Sequence, residues 1–249
     1  MHHFFLPPES IQNQTVTFPQ ETARQICSVL RLRAGQMVTV LDDRGNQFAV
    51  ELIEVERGTV IGAVQAQQPA AGEPPLPVTL YLCLAQREKF EWMLQKCTEV
   101  GACEFVPVIS SRSLVQDAED VARKQERWER ILREAAEQSH RGRVPRLRPA
   151  LKFDAALEAA KNHALRLIPW EQEAGLSLRA AIRAHAGAGM PESMGVLIGP
   201  EGGFSEDEVE AARTAGFQAV TLGPRILRME TAAVVATALV IDEIEGKAI

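Results

Sequence analysis

Strand and helix patterns alternate over the C-terminal two thirds of the chain, and this alternation constrains the fold more than any other feature. Residues 78–85 (VTLYLCLA) form a near-continuous apolar run, which is typical of a strand that is covered on both faces. Residues 87–101 then place Phe90, Leu94 and Cys97 on one stripe at helical spacing. The alternation predicts an α/β fold, with a largely parallel sheet and helices on both of its faces.

The same alternation continues toward the C-terminus. Further strands are predicted at 103–109, 164–169, 194–199 and 219–223. A long amphipathic helix is predicted at 121–139. Another helix should begin after Ser205, because Glu208 three residues later completes a capping box, and Gly216 should end it.

The N-terminal residues show the period of a strand instead. Strands are predicted at 36–41, 47–55 and 59–64, and a short helix at about 20–31 precedes them. The segment 65–77 is rich in Ala, Gln and Pro, which is typical of a linker. We therefore predict three parts: a small β-rich domain at 1–70, a linker at 71–77 and a larger domain at 78–249.

Composition excludes several classes of protein. The longest apolar run, residues 231–241, is about half as long as a membrane-spanning helix, so no membrane partner is expected. The four cysteines have no CxxC spacing, which favours buried thiols in the cytoplasm over a metal or redox site. The net charge of −6 argues against nucleic acid, yet residues 139–148 carry four arginines and no acid. A local basic surface therefore stays possible.

Two glycine-proline loops near the C-terminus are the strongest candidates for a ligand site. They are LIGPEGGF at 197–204 and LGPRILRMETA at 222–232, and each follows a predicted strand. Ligands of open α/β sheets bind beyond the carboxyl ends of strands, where glycine permits close approach and the next helix offers free N–H groups. Neither loop continues into the Gly-Lys-Ser/Thr of a P-loop, and no G-x-G-x-x-G follows the strand at 78–85.

Four segments together resemble one known family. They are residues 88–113, 134–147, 197–208 and 222–236. The chain resembles the bacterial RsmE family of 16S ribosomal RNA uridine-N3 methyltransferases, of the SPOUT superfamily, over nearly its whole length. The resemblance implies a trefoil-knotted SPOUT domain preceded by a PUA-like β-barrel domain, a homodimer, and S-adenosylmethionine as methyl donor. A trefoil knot is a rare exception to the usual threading of protein chains.

The resemblance also implies which residues form the site. The cofactor contacts would be Pro169, Trp170, Glu171, Ile198, Gly199, Pro200, Glu201, Gly202, Leu222, Gly223, Ile226, Leu227, Thr231 and Ala232. Arg228 is the candidate catalytic cation, and Glu201 is the candidate proton acceptor. Structural roles compete with these assignments: Arg228 could pair with Glu230 or hold the knot, and Glu201 could cap the following helix.

The expected partner is 16S rRNA, either naked or in the assembled small ribosomal subunit. Candidate RNA contacts are the basic residues Arg24, Arg31, Arg33, Lys89, Lys96, Arg141, Arg143 and Arg146. Two other functions compete: a SPOUT enzyme that modifies another rRNA or a tRNA, and a non-catalytic RNA-binding factor in ribosome assembly. The intact glycine-proline loops disfavour the non-catalytic factor.

Overall fold

The computed structural model describes residues 1–56, 58–113, 121–187 and 189–246, which form two compact units. The N-terminal unit comprises Met1–Glu73 and Ala136–Val144, and the C-terminal unit comprises Pro74–Ala135 and Pro145–Ile249. The first boundary falls inside the predicted linker. The segment Ala136–Val144, however, packs with the N-terminal unit, although the sequence pattern placed it in the larger domain.

A six-stranded sheet forms the N-terminal unit. Its strands are β1 (His3–Phe5), β2 (Ile11–Gln12), β3 (Thr15–Thr17), β4 (Met37–Leu41), β5 (Asn46–Glu56) and β6 (Thr59–Pro69), in the order β1-β4-β5-β6-β3-β2. All these pairings are antiparallel except that of β1 with β4. The helix α1 (Gln20–Arg24) continues as a π-helix over Gln25–Leu30. The three predicted strands and the predicted helix are confirmed, whereas β1, β2 and β3 were not predicted.

The hairpin between β4 and β5 follows from its sequence. The Asp42 carboxylate accepts hydrogen bonds from the backbone N–H groups of Arg44 (2.8 Å) and Asn46 (3.0 Å). Asp43 and Gly45 adopt φ values of 58° and 94°, a region that Asp and Gly tolerate well. The side chains of β5 then alternate, so that Phe48, Val50 and Leu52 enter the core of this unit.

The Ala-, Gln- and Pro-rich segment 65–77, whose composition is typical of a linker, begins inside a strand. Residues 65–69 belong to β6, which pairs with β5 as far as Asn46 opposite Pro69. Their side chains are exposed, so the composition resembles that of a linker, but the long partner strand supplies the hydrogen bonds that keep them extended.

The segment Ala136–Val144 is held to the rest of the N-terminal unit by a buried ion pair. Arg141 is only 2% exposed, and its Nη2 and Nε atoms donate to the Glu73 carboxylate at 2.9 and 3.2 Å. The same carboxylate accepts the backbone N–H groups of Gly142 and Arg143 at 3.0 and 3.1 Å. The prediction that Arg141 contacts RNA is therefore wrong, because its guanidinium is buried against an acid.

The C-terminal unit contains a sheet in which every pairing of the described strands is parallel. Its strands are β7 (Val78–Cys83), β8 (Glu104–Ile109), β9 (Arg146–Leu147), β10 (Leu151–Lys152), β11 (Leu165–Pro169), β12 (Met194–Ile198) and β13 (Gln218–Val220). The order is β10-β8-β7-β12-β11-β13, and β9 also pairs with β8. The predicted α/β class and the parallel sheet are confirmed.

Helices connect these strands. They are α2 (Arg87–Val100), α3 (Gln125–Gln138), α4 (Phe153–Ala160), α5 (Leu178–Ala186), α6 (Glu206–Thr214) and α7 (Met229–Glu245). In α2, Phe90 packs its ring at 4.5 Å from that of Trp128 on α3. None of the helices in the described ranges has both the length and the apolar character needed to cross a membrane. Nor does the described part of the chain contain a group of three His, Cys, Asp or Glu side chains that could hold a metal ion.

An ion-pair network joins the C-terminal end of α7 to α5. The Glu243 side chain is only 5% exposed and accepts hydrogen bonds from Arg183 at 2.7 and 2.9 Å and from Arg179 at 2.9 Å. The hydrogen bonds from Arg183 are the main reason that the pKa of Glu243 lies below its ordinary value of 4.5. The ionised carboxylate therefore stabilises the folded state.

This network predicts a pH dependence of stability. A lowered folded-state pKa stabilises the fold above pH 4.5, and the contribution is lost as the pH falls through the folded value. We expect Glu243→Gln to lower the urea midpoint at pH 7 and to differ less from the native chain at pH 3.5. The control Glu158→Gln removes a carboxylate that is 71% exposed and should show little difference at either pH. If the urea midpoints of Glu243→Gln and the native chain differ equally at pH 7 and pH 3.5, the prediction is contradicted.

Candidate functional site

Three neighbouring strands of the C-terminal sheet end at the same edge, and the candidate site is built there. Strand β11 lies between β12 and β13, and all three run parallel. The last residue of β11, Pro169, is directly opposite Val220, the last residue of β13. The loops 170–177, 199–205 and 221–228 therefore leave the sheet side by side, and the two glycine-proline loops are brought together with the loop that begins at Trp170.

Backbone hydrogen bonds tie two of these loops to each other. Trp170 N–H donates to the Val220 carbonyl at 3.0 Å, and Thr221 N–H donates to the Leu176 carbonyl at 2.8 Å. Leu178 N–H donates in turn to the Thr221 carbonyl at 3.2 Å. The predicted cofactor residue Trp170 is thus held in a fixed backbone position, and the Arg213 guanidinium lies 5.5 Å from the centre of its ring.

The first glycine-proline loop depends on its glycines. A Cβ atom at Gly199 would lie 2.9 Å from the Phe204 ring, and one at Gly203 would lie 2.8 Å from a Glu171 carboxylate oxygen. Gly203 also has a φ of 68° and donates its N–H to the Pro200 carbonyl at 2.9 Å. The Phe204 ring therefore excludes a side chain at Gly199, and Gly203 has a backbone conformation that glycine adopts without strain.

Helix α6 begins immediately after this loop, as the sequence predicted. The Ser205 hydroxyl accepts the Glu208 N–H at 3.2 Å, and the Glu208 carboxylate accepts the Ser205 N–H at 2.9 Å, which completes the capping box. Glu208 also accepts the N–H of Ser111, the second residue after β8, at 2.9 Å. The helix cap is supplied by Ser205, so the alternative role of Glu201 as the cap is wrong.

Two cations from neighbouring strand ends contact the middle of the first loop. Lys89, near the start of α2, forms an ion pair with Glu201. Arg112, three residues after β8, donates from Nη1 to the Gly202 carbonyl at 3.0 Å. The structure therefore places the candidate proton acceptor Glu201 beside Lys89, which the sequence assigned to RNA. Arg112 was not singled out from the sequence, although its position after a strand could have drawn attention to it.

The second glycine-proline loop leads into α7. Gly223 has a φ of 116°, and its N–H donates to the Thr221 hydroxyl at 3.1 Å. Arg228 is the exposed N-cap residue of α7, and no side chain caps this helix. Among the described residues Arg228 forms no ion pair, so the alternative in which it pairs with Glu230 is wrong. First-turn N–H groups of α7 consequently face the loop.

The arrangement fits a ligand that has both an apolar surface and polar groups. Ile226 is 88% exposed on the second loop, more than any other large apolar side chain described. Trp170 Nε1 and Glu230 Oε2 are buried and have no hydrogen-bond partner among the described residues. Buried polar atoms ordinarily have hydrogen-bond partners. A bound group would cover Ile226 and could supply the missing partners of Trp170 Nε1 and Glu230 Oε2. A separate cavity of about 130 Å³, beside Trp128, contains none of the predicted site residues.

Comparison with known proteins identifies the family. Residues 72–241 match the family model of the RNA methyltransferase domain. Ribosomal RNA small subunit methyltransferase E of Synechocystis sp. is 35% identical over 240 residues, which cover 95% of this chain and 76% of the relative. The chain belongs to this family. The Bacillus subtilis relative of the same name is 33% identical over 221 residues, which cover 88% of this chain and 86% of that protein.

A solved structure of the ribosomal RNA small subunit methyltransferase E family agrees with this assignment. The Neisseria gonorrhoeae protein, bound to S-adenosylmethionine, superposes with a TM-score of 0.82 at 34% identity. The match covers 96% of this chain and 95% of that one. The resemblance inferred from the four sequence segments is therefore confirmed, and this chain shares the fold of a methyltransferase that binds S-adenosylmethionine.

The other basic residues assigned to RNA in this family member lie in different settings. Five are exposed: Arg24, Arg31, Arg33, Arg143 and Arg146. Lys96 is half-buried and pairs with Glu99 on the same helix at 2.8 Å. Arg143 donates to the Arg44 carbonyl at 3.2 Å. The exposed arginines stay candidates for RNA contact.

Two of the four cysteines of this family member are fully buried. Burial raises the pKa of the Cys83 and Cys97 thiols to about 12, so both are protonated at neutral pH. Cys27 and Cys103 are only partly buried, so the expectation of buried thiols holds for Cys83 and Cys97 alone.

Proposed function

We propose that this protein transfers a methyl group from S-adenosylmethionine to N3 of a specific uridine in 16S rRNA. The observation that carries the proposal is the meeting of three loops at one edge of the sheet, in a chain whose relatives are ribosomal RNA small subunit methyltransferases. The bound cofactor of the Neisseria gonorrhoeae structure identifies the ligand class. The free cysteines agree with the cytoplasmic location that we propose.

Residues of all three loops would hold the cofactor. They are Pro169, Trp170, Glu171, Ile198, Gly199, Pro200, Glu201, Gly202, Leu222, Gly223, Ile226, Leu227, Thr231 and Ala232. Backbone groups of the glycine-proline loops would bind its polar atoms, and Leu222, Ile226 and Leu227 would provide apolar walls. When bound, the cofactor supplies a methyl group on a positively charged sulfur, which is already activated for transfer.

The remaining chemistry belongs to the chain itself. Uracil N3 loses its proton about two pH units above neutrality, so forming the anion at pH 7 costs about 3 kcal/mol. Arg228 would stabilise that anion; its exposed side chain, without an ion pair among the described residues, supports this role. Glu201 would accept the N3 proton, or would orient a water molecule that accepts it. The ion pair with Lys89 would hold the Glu201 carboxylate at the loop.

The substrate must expose the uridine edge that base pairing hides. A target in a duplex would have to be extruded, so the uridine is unpaired or flipped when it reacts. Phosphate contacts from the exposed arginines Arg24, Arg31, Arg33, Arg143 and Arg146 would position the RNA. The N-terminal unit, with its β-sheet and short helix, would act as a PUA-like RNA-binding domain.

Two finer features of the family are part of this proposal. Strand β12 follows β11 in the chain but lies between β7 and β11 in the sheet, a strand order that supports a trefoil knot formed by the two glycine-proline loops. A homodimer, in which a second copy lies near each site, is supported by the 88% exposure of Ile226, an apolar side chain that a ligand or partner would cover.

Methylation of undermethylated small ribosomal subunits tests the function. Purified protein and labelled S-adenosylmethionine should produce N3-methyluridine in 16S rRNA, detected by nucleoside analysis. Parallel reactions with naked 16S rRNA, large subunits and tRNA define the substrate. Label in tRNA or on a ribose would support a different SPOUT enzyme, and cofactor binding without any transfer would support the non-catalytic factor.

A further inference from the structure

A short serine-rich turn presents Arg112 at the candidate site. The buried side chains of Ser110 and Ser113 form a hydrogen bond of 2.9 Å, and Ser113 Oγ accepts the Ser110 N–H at 3.1 Å. Ser111 N–H is held by Glu208 at 2.9 Å. Because the residues on both sides are fixed, the backbone of Arg112 is fixed too, while its side chain is exposed.

Arg112 uses only part of its hydrogen-bonding capacity. Its Nη1 donates to the Gly202 carbonyl at 3.0 Å, and no carboxylate in the described part of the chain pairs with it. A guanidinium carries several N–H donors in a planar fork. The donors that do not reach Gly202 therefore face solvent beside the first glycine-proline loop.

Nine other described cations of the same unit differ from Arg112 in this respect. Many described basic side chains there pair with an acid: Arg87, Lys89, Lys96, Arg127, Arg148, Lys161, Arg179, Arg183 and Arg213. At the carboxyl edge of the sheet, by contrast, Arg112, Arg225 and Arg228 form no ion pair with the described residues. Strands β8 and β13 are four positions apart in the sheet, about 19 Å, so Arg112 lies on the opposite side of the cofactor loops from Arg225 and Arg228.

We infer that Arg112 binds a phosphate of the RNA substrate on the β8 side of the cofactor loops, an inference that rests on the proposed function. Arginine matches phosphate oxygens with two parallel hydrogen bonds and stays charged at all relevant pH values. A contact of this kind fixes the position of the RNA backbone while Arg228 faces the reacting base. The hydrogen bond to Gly202 couples the bound RNA to the loop that holds the cofactor.

Three substitutions separate RNA binding from support of the loop. Arg112→Gln keeps an N–H donor for the Gly202 carbonyl but removes the charge, Arg112→Lys keeps the charge, and Arg112→Ala removes both. The control Lys161→Ala removes one exposed charge from the turn after α4, which lies before β11 and therefore at the opposite edge of the sheet. Each variant is tested for S-adenosylmethionine affinity by calorimetry and for binding to undermethylated small subunits over a range of salt concentrations.

We expect Arg112→Gln to bind the cofactor as the native chain does and to bind subunits about tenfold more weakly. The salt dependence of log Kd should decrease by about one unit of slope for Gln and Ala, but not for Lys or for Lys161→Ala. The KM for subunits should rise in Arg112→Gln with little change in kcat.

Unchanged subunit affinity and salt slope in Arg112→Gln would overturn the inference. So would a loss confined to cofactor affinity, which would make Arg112 a support of the loop only. Methylation of undermethylated small subunits by the native chain is measured separately. Its absence would contradict the proposed function, whereas an active native chain with an unaffected Arg112→Gln variant would overturn the Arg112 inference alone.

Discussion

Replacement of Arg228 by alanine is expected to lower kcat for uridine methylation by a factor of about 10²–10³ while S-adenosylmethionine still binds with its normal Kd. The side chain is exposed at the N-cap of α7 and forms no ion pair with the described residues, so its removal breaks no ion pair there. The loss should arise because the uracil anion would form without a neighbouring positive charge. Single-turnover kinetics with saturating cofactor measure the step directly, and calorimetry measures the Kd.

Arg225 provides a matched comparison on the same loop. Arg225→Ala removes an identical charge three residues earlier, from a side chain that is also exposed. An equal loss of kcat in both variants would show that the total charge of the loop, rather than the position of Arg228, supports the reaction. A collapse of cofactor affinity in Arg228→Ala would instead place Arg228 in the cofactor site.

Glu73→Ala should lower the free energy of unfolding of the N-terminal unit by about 3 kcal/mol, the largest stability effect that we expect. The substitution removes the carboxylate partner of Arg141, whose side chain is 2% exposed, and the acceptor of the Gly142 and Arg143 N–H groups. A buried charge that loses one of its partners keeps its desolvation cost while part of the compensating attraction is removed. Urea denaturation at pH 7 measures the change.

Two further variants define the origin of this effect. Glu73→Gln keeps an oxygen acceptor for the backbone N–H groups and should be destabilised less than Glu73→Ala. Glu51→Ala removes a carboxylate of the same unit that accepts one exposed hydrogen bond, from Gln65 at 3.0 Å, and should cost less than about 1 kcal/mol. Equal midpoints for Glu73→Ala and Glu51→Ala would show that the buried pair contributes no more than a surface contact.

Local patterns in the sequence were sufficient to predict most of the fold. The capping box of Ser205 and Glu208 depends on residues three positions apart, and the apolar run of β7 depends on burial on both faces. Such features are determined within one element and can be recognised without knowledge of the rest of the chain. The positive φ values of Gly203 and Gly223 belong to the same class, because no other residue adopts them as readily.

The contacts that complete the site are different, because they join distant positions. Lys89 and Glu201 are 112 residues apart in the chain, and Arg112 and Gly202 are 90 apart. A lysine or an arginine looks the same in the sequence whether it binds RNA, pairs with an acid or supports a loop. Only the strand order, which brings β7, β8 and β12 next to one another, decides among these roles.

Two sequence predictions were wrong for the same physical reason. Arg141 occurs in a basic segment, and residues 65–69 occur in a Pro- and Gln-rich one, so composition suggested a solvent-exposed surface and a linker. Tertiary partners reverse both conclusions: Glu73 compensates the buried charge, and β5 supplies the hydrogen bonds of the extended segment. The composition of a segment indicates which conformation and solvent exposure it prefers in isolation. It does not indicate which other parts of the chain pack against it.

The discontinuous composition of the N-terminal unit has a consequence for how the protein is made. Phe5 donates its N–H to Glu137 at 3.0 Å and packs with Leu41 and Ala136, while Val144 N–H donates to Asp43 at 2.7 Å. During translation these partners emerge long after the first 73 residues have left the ribosome. All six strands are synthesised by then, but they lack their contacts with Ala136–Val144 until residues 74–135 of the second unit have also been made. A gene truncated after codon 73 would therefore encode the whole sheet without the segment that packs against it.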